Sequence, residues 1–193
     1  MRKLALDDDI LLEIEKPARY IGGEVNAVMK NVEDIDVRFA MCFPDVYEIG
    51  MSHLGIQILY DMFNRREDVW CERVYSPWHD LDKVMREQKI PLFALESQDP
   101  IKNFDFLGIT IQFEMCYTNI LQILDLSQIP LHAKDRTLDD PFVIGAVARA
   151  HTIRSRSQSS LISFISEKEK QLMMSCLTLI RNGKVQERAA GSS

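Results

Sequence analysis

The sequence predicts an α/β fold, a doubly wound parallel sheet with helices on both faces. Four short apolar runs, Val37–Phe43, Val69–Tyr75, Phe104–Phe113 and Pro141–Gly145, stop at proline, serine, acidic or glycine positions, as strands buried on both faces do. Between them the apolar residues recur at helical spacing. Strands that alternate with helices pair in parallel through right-handed crossovers, which set helices on both sides of the sheet.

In chain order, residues 1–35 read as a helical or irregular arm, broken at Pro17 and turned at Gly22-Gly23. "VRFAMCF" (Val37–Phe43) is the first strand, ended by Pro44-Asp45. In "MSHLGIQILYDMFNRR" the residues Leu54, Ile58, Leu59, Met62 and Phe63 share a helical period, with Ser52 as the expected N-cap. "VWCERVY" is the second strand, ended by Ser76-Pro77, and Trp78–Gln88 is a helix on Trp78, Leu81, Val84 and Met85. "IPLFALES" reads as a short strand or extension. Phe104–Phe113 is the third strand, Cys116–Leu126 its helix, and "PFVIG" the fourth strand. The divisions are an arm over 1–35, a sheet domain over 36–145, and a tail over 146–193.

The tail differs in composition. Residues 1–145 hold 15 Lys and Arg against 26 Asp and Glu, whereas residues 146–193 hold 8 against 3. Every proline and every aspartate precedes Gly145. Such a step marks a domain edge or a basic tail. The acidic main domain and the small basic pair Lys16 and Arg19 argue against nucleic acid. No apolar run approaches the roughly 18 residues that span a membrane. Asp7, Asp8 and Asp9 fall where a signal peptide needs its apolar core, so the reading is cytoplasmic. Cys42, Cys71, Cys116 and Cys176 form no C-x-x-C pair, which points to reduced core thiols and to no metal site. Oligomeric state is not legible.

In open parallel sheets ligands bind beyond the carboxyl ends of the strands. The loop "PDVYEIGMSHLG" after the first strand offers Pro44, Asp45, Tyr47, Gly50, Met51, Ser52 and His53, with Gly50 and Gly55 letting the backbone approach a ligand. Gln112, Glu114 and Tyr117 follow the third strand, and Gly145 ends the fourth. These residues are expected to line a cofactor site through backbone approach and polar contacts, with no catalytic role. The loop is neither G-x-G-x-x-G nor a Walker loop. His53 reads as a polar loop residue rather than a metal ligand, and His79 as a helix-start residue. Glu48, Glu96 and Glu114 lie near strand ends and read as solvated loop carboxylates rather than an acid/base set.

The strings "FPDVYEIGMSHLG" and "QFEMCYTN", with "KPARYIGGEVNAV", "ERVYSPWHDLD" and "DDPFVIG", resemble the N-terminal part of a bacterial family of radical S-adenosylmethionine proteins. Members carry a cobalamin-binding-like domain ahead of the radical domain. The resemblance implies a flavodoxin-like (Rossmann-like) sheet that presents cobalamin to a radical domain in cis, with a [4Fe–4S] cluster and S-adenosylmethionine held by that radical domain. The loop after the first strand lacks the D-x-H-x-x-G pattern that supplies histidine to cobalt. The C-x-x-x-C-x-x-C motif that holds the cluster is absent from these residues, so the chain as written is not expected to make the radical. A non-enzymatic flavodoxin-like binding module, or an inactive fragment, is the alternative.

Family members continue past the fourth strand with a glycine run, then a G-P-C-A-x-N-P-E-P-L-A string and a last strand ending G-E-G-E. Here the chain reads Ala146-Val147-Ala148-Arg149-Ala150-His151. A one-base slip would build each intended codon from one wobble base and the first two bases of the next codon. Arg149 then permits Pro, Ala150 Cys, His151 Ala and Ile153 Asn, while Thr152 permits only Tyr or His. Leu161 to Lys170 permit F-D-L-F-Y-I-G-E-G-E. The tail therefore reads as a frameshift product, the alternative being a real amphipathic helix over "KEKQLMMSCLTLI". The last strand is expected to be missing, with Leu161, Ile162, Phe164 and Ile165 available to patch the open edge or to promote aggregation.

Overall fold

The computed structural model describes residues 4–145 and the backbone of 146–147 and 163–165. Its elements are α1 (Asp8–Glu13), β1 (Val37–Phe43), α2 (Tyr47–Met51), α3 (Leu54–Asn64), β2 (Val69–Tyr75), α4 (His79–Gln88), β3 (Phe106–Ile111), α5 (Tyr117–Leu126), β4 (Phe142–Val147) and β5 (Ser163–Ile165). All the strand pairs are parallel, in the order β2-β1-β3-β4-β5. This is the flavodoxin-like order.

Strand alternation sorts the side chains onto two faces. Ala40, Cys42, Leu107, Ile109 and Ile111 pack with Ile10 of α1, Leu81 and Met85 of α4, and Ile120 and Ile123 of α5. On the other face Val37, Phe39, Met41, Cys71 and Phe106 meet Ile56, Tyr60 and Phe63 of α3. Phe39 lies at the centre of that face, stacked on Phe63 at 4.8 Å and on Phe106 at 5.9 Å between ring centroids. Gly108 opposite has no space for a methyl group, since an added Cβ would stand 2.5 Å from the Phe39 ring. Truncating Phe39 to alanine would remove contacts with both α3 and β3, a change that costs about 3–5 kcal/mol in well-packed cores.

The arm belongs to this core. Leu6, Ile10, Ile14 and Tyr20 are buried in the same cluster as α4 and α5. Gln98, in the left-handed region at φ 67°, fastens the arm: its Nε2 donates to the Tyr20 carbonyl at 3.0 Å and its Oε1 accepts from Ala5 N–H at 3.2 Å.

β2 is an edge strand, and its outward backbone groups are taken up by side chains and loops. Lys30 Nζ donates to the Val69 carbonyl at 2.6 Å. Asn64 both donates to the Cys71 carbonyl (2.9 Å) and accepts from its N–H (3.0 Å). Leu95 N–H donates to the Arg73 carbonyl at 2.8 Å, and the Arg73 N–H donates to Glu96 at 2.6 Å. An edge satisfied in this way offers no template for another chain.

Several boundaries differ from the sequence reading. β4 continues two residues past Gly145 to Val147, so Gly145 pairs with Ile109 inside the sheet instead of ending the strand. The strand expected to be missing has a three-residue counterpart, β5, paired with Ile144–Ala146. His53, not Ser52, is the N-cap of α3 and makes no side-chain cap; Ser52 Oγ donates to the Ile49 carbonyl instead, at 2.9 Å. Half of the expected loop is helical, because Val46 sets off α2. "IPLFALES" is an extension with a single bridge, Phe93 to Pro100. The rest of the tail lies outside the described residues, including the alternate-frame string and the helix read over "KEKQLMMSCLTLI".

Candidate functional site

After β1 the chain turns to α3 on one face of the sheet, and after β3 it turns to α5 on the other. The neighbouring carboxyl ends of β1 and β3 are therefore a topological switch point, where a crevice opens between diverging loops. The two loops are tied together beneath it. Asn119 of α5 donates to the Pro44 carbonyl at 2.8 Å, and Thr110 Oγ1 donates to the Cys42 carbonyl at 3.3 Å. The loop after β2 joins them, with Ser76 N–H donating to the Asp45 carbonyl (2.9 Å) and Ser76 Oγ to Gln122 (2.6 Å).

The predicted residues lie around these carboxyl ends, some exposed and some packed inside. Asp45 is half-buried and caps its own turn, accepting from Val46 N–H at 2.8 Å. Tyr47 donates to Glu24 of the arm and packs edge-on against Tyr75 at 5.4 Å. Burial, reinforced by Glu24, pushes the Tyr47 phenol up to about 12, so its proton stays in place at neutral pH. Gly50 packs internally: a Cβ there would lie 2.4 Å from the Tyr75 ring. The Met51 carbonyl accepts from Gln57. His53 lies over Phe43 at 5.1 Å, and its Nδ1 is buried without a hydrogen-bond partner. The space a side chain would take at Gly55 is filled by the His53 ring. Gln112 and Tyr117 are half-buried at the β3 side, and Glu114 is exposed.

The three carboxylates do not converge. Glu48 pairs with Arg19 and Lys16 on the surface, and a hydrogen bond from Arg19 lowers its pKa. Glu96 is not a solvated loop residue; it is buried against Arg73, whose Nε lies 2.7 Å away. Burial alone would lower the Arg73 guanidinium, but Glu96 beside it outweighs that and holds it above its ordinary value.

Two features escaped the sequence reading. The first is an apolar rim at the crevice: Ile49, Leu54, Phe113 and Met115 are all exposed, Met115 at 82%. Helical periodicity assigns Leu54 to a core face, and only the strand order shows that α3 begins at the crevice. The second is the buried charge network on β2, where Glu72 meets Arg38 at 2.6 Å and Arg73 meets Glu96. Its signal was available in "VWCERVY", since a charged pair inside a buried strand requires buried partners. Among the described residues no group of three His, Cys, Asp or Glu is placed to hold a metal ion, and no helix is long and apolar enough to cross a membrane.

The family model for "Radical SAM proteins, N-terminal" matches residues 55–190, well over half of the chain. The chain belongs to the radical SAM N-terminal family. The match takes in α3, the whole path from β2 to β4, and most of the tail. No curated protein and no solved structure matches the chain. Membership fits the flavodoxin-like order of the sheet. The cobalamin that the resemblance implies can be tested against the crevice. Exposed apolar side chains beyond both β1 and β3 suit a broad, partly apolar macrocycle. The His53 ring lies over Phe43, and the loop lacks the D-x-H-x-x-G pattern that aims a histidine at cobalt.

Proposed function

We propose that this chain is the module of a radical SAM protein that holds cobalamin over the β1/β3 crevice and presents it to the radical domain in cis. The observation that carries the reading is the apolar rim of Ile49, Leu54, Phe113 and Met115 at the switch point of a radical SAM N-terminal fold. Bound cobalamin supplies cobalt redox and group-transfer chemistry. The chain's own part is positioning: the rim excludes water, and the Pro44–His53 and Gln112–Tyr117 loops supply backbone and polar contacts. His53 acts as packing, in keeping with the absent D-x-H-x-x-G pattern.

Titration of the full chain with hydroxocobalamin tests this. The expected result is a saturable visible-spectrum change that Leu54→Asp with Met115→Asp abolishes while the far-ultraviolet circular dichroism is unchanged. If the wild-type chain gives no change, the second reading takes over, a non-enzymatic flavodoxin-like binding module.

The proposal extends to the tail. The alternate frame after Gly145 reproduces the family string through narrow positions such as Lys168 and Lys170, and β5 falls inside the stretch where that frame puts the last family strand. Against it stands the match of the written tail to the family model as far as residue 190. Resequencing the encoding DNA from the Phe142 codon onward decides between the two. One extra or missing base there makes the tail an artefact, and an unchanged sequence retires the frameshift.

A further inference from the structure

The arm crosses the carboxyl end of β2 as a short strap, and Glu24 is the residue that holds it there. The Glu24 carboxylate accepts from the Tyr47 hydroxyl through one oxygen and pairs with Arg73 Nη2 through the other. Arg73 is 7% exposed, and its Nε is already committed to the buried Glu96. Beside this pair stands the Tyr75 hydroxyl, buried and without a hydrogen-bond partner. A cavity of about 20 Å³, room for one water, adjoins it, lined in part by Arg19, Tyr20, Arg73 and Tyr75.

One guanidinium edge, one phenol and a spare phenol around a carboxylate make up a carboxylate-recognition arrangement. Glu96 and Glu24 play different parts in it. Glu96 is fixed to the backbone of β2 and neutralises Arg73 permanently, through the Arg73 N–H at 2.6 Å. Glu24 reaches in from outside and is the removable member. The strap that carries it bends at Gly22 and Gly23, both in the left-handed region at φ 58° and 83°. Nothing lies within 4 Å of a Cβ built on Gly23, so that glycine is required by its backbone angle alone. Beyond Glu24 the strap turns, Ala27 N–H donating to the Glu24 carbonyl at 3.0 Å, with Val25 fully exposed at the tip. It is pinned again at Val28, whose N–H donates to the Tyr60 hydroxyl at 2.8 Å.

We infer that Arg73, Tyr47 and Tyr75 form a binding site for the carboxylate of a small organic acid, which Glu24 occupies in cis as an internal ligand. Lifting the strap about Gly22-Gly23 exchanges the carboxylate of Glu24 for an external one. No bond is made or broken, and the net charge of the cradle is unchanged, because one carboxylate replaces another beside Arg73 and Glu96. The site shares Tyr47 with the Pro44–His53 loop, but none of its donors lies on the apolar rim, and its test does not depend on cobalamin.

Acetate is the probe. In the full chain, Glu24→Ala empties the cradle and lowers the melting temperature. Sodium acetate at about ten times its half-saturating concentration then raises that temperature by about 3–6 °C. Sodium chloride at the same ionic strength does not, and wild type does not respond. Adding Tyr47→Phe to Glu24→Ala weakens the rescue. Glu24→Gln, whose amide still fills the cradle, shows none. Equal responses to acetate and chloride, or equal responses of Glu24→Ala and Glu24→Gln, overturn the assignment. Should Glu24→Ala not fold, hydrogen exchange of the wild-type strap gives the answer. Acetate competing with Glu24 speeds exchange at the Val28 amide relative to chloride, and an unchanged rate overturns the proposal.

Discussion

Asp140 caps the turn that launches β4. Its carboxylate accepts from the Thr137 N–H at 2.9 Å and hydroxyl at 3.3 Å, with Lys102 Nζ 3.6 Å away. The Thr137 N–H, more than Lys102, lowers its pKa. A carboxyl whose pKa is lowered by folding adds stability that is present above its unfolded value and is lost as the pH falls through its folded value. Asp140→Asn is therefore expected to be less stable than wild type at neutral pH. The difference shrinks from about pH 4 downward, where unfolded aspartates take up protons. Chemical denaturation at a series of pH values checks this, and a difference independent of pH would refute it. Lys89 illustrates backbone cost at the same scale. It ends α4 in the left-handed region at φ 57°, its N–H donating to the Met85 carbonyl. Glycine occupies that position without a Cβ clash, so Lys89→Gly stabilises by about 1 kcal/mol.

At the scale of the element, β2 shows how an edge strand is closed by side chains. Asn64 holds both polar groups of Cys71, so Asn64→Ala strips partners from a buried N–H and a buried carbonyl at once. The expected loss is about 1–3 kcal/mol for each group left unpaired. Urea unfolding measures it, and a loss under about 0.5 kcal/mol, the level of an ordinary surface substitution, would show that water replaces the amide. Asn64 also marks the boundary of what the sequence made legible. The strands were readable because buried parallel strands are short apolar runs, and the helices because Leu81, Met85, Ile120 and Ile123 repeat with the helical period. The strand order followed only through family resemblance. The arm's place in the core was not readable, since Leu6, Ile10 and Ile14 lie in and beside a short helix whose partners are far along the chain. Of the site, the loops were legible from the α/β switch-point rule. The roles of single residues were not, because a glycine that admits a ligand and one that admits Tyr75 look alike in sequence.

At the scale of the molecule, the two borders of the sheet are unequal. The β2 border is sealed along Val69, Cys71 and Arg73. The β4 border is covered by a three-residue strand, β5, that pairs only with Ile144 to Ala146. Phe142, at the start of β4, is 57% exposed beside Phe106. Among the described residues β5 pairs three positions of β4, and parallel edges left open recruit other chains. The chain as written is thus expected to be stable at its β2 side and prone to association at its β4 side. Rewriting residues 146–170 in the alternate frame, as G-[GS]-G-P-C-A-Y-N-P-E-P-L-A-V-F-F-D-L-F-Y-I-G-E-G-E, supplies a longer apolar last strand ending in G-E-G-E. That variant is expected to melt higher than the written chain and to scatter less light on heating, while Asn64→Ala costs the same in both. A rewritten chain that melts no higher would mean that the written tail already completes the sheet, and the frameshift reading would fall with it.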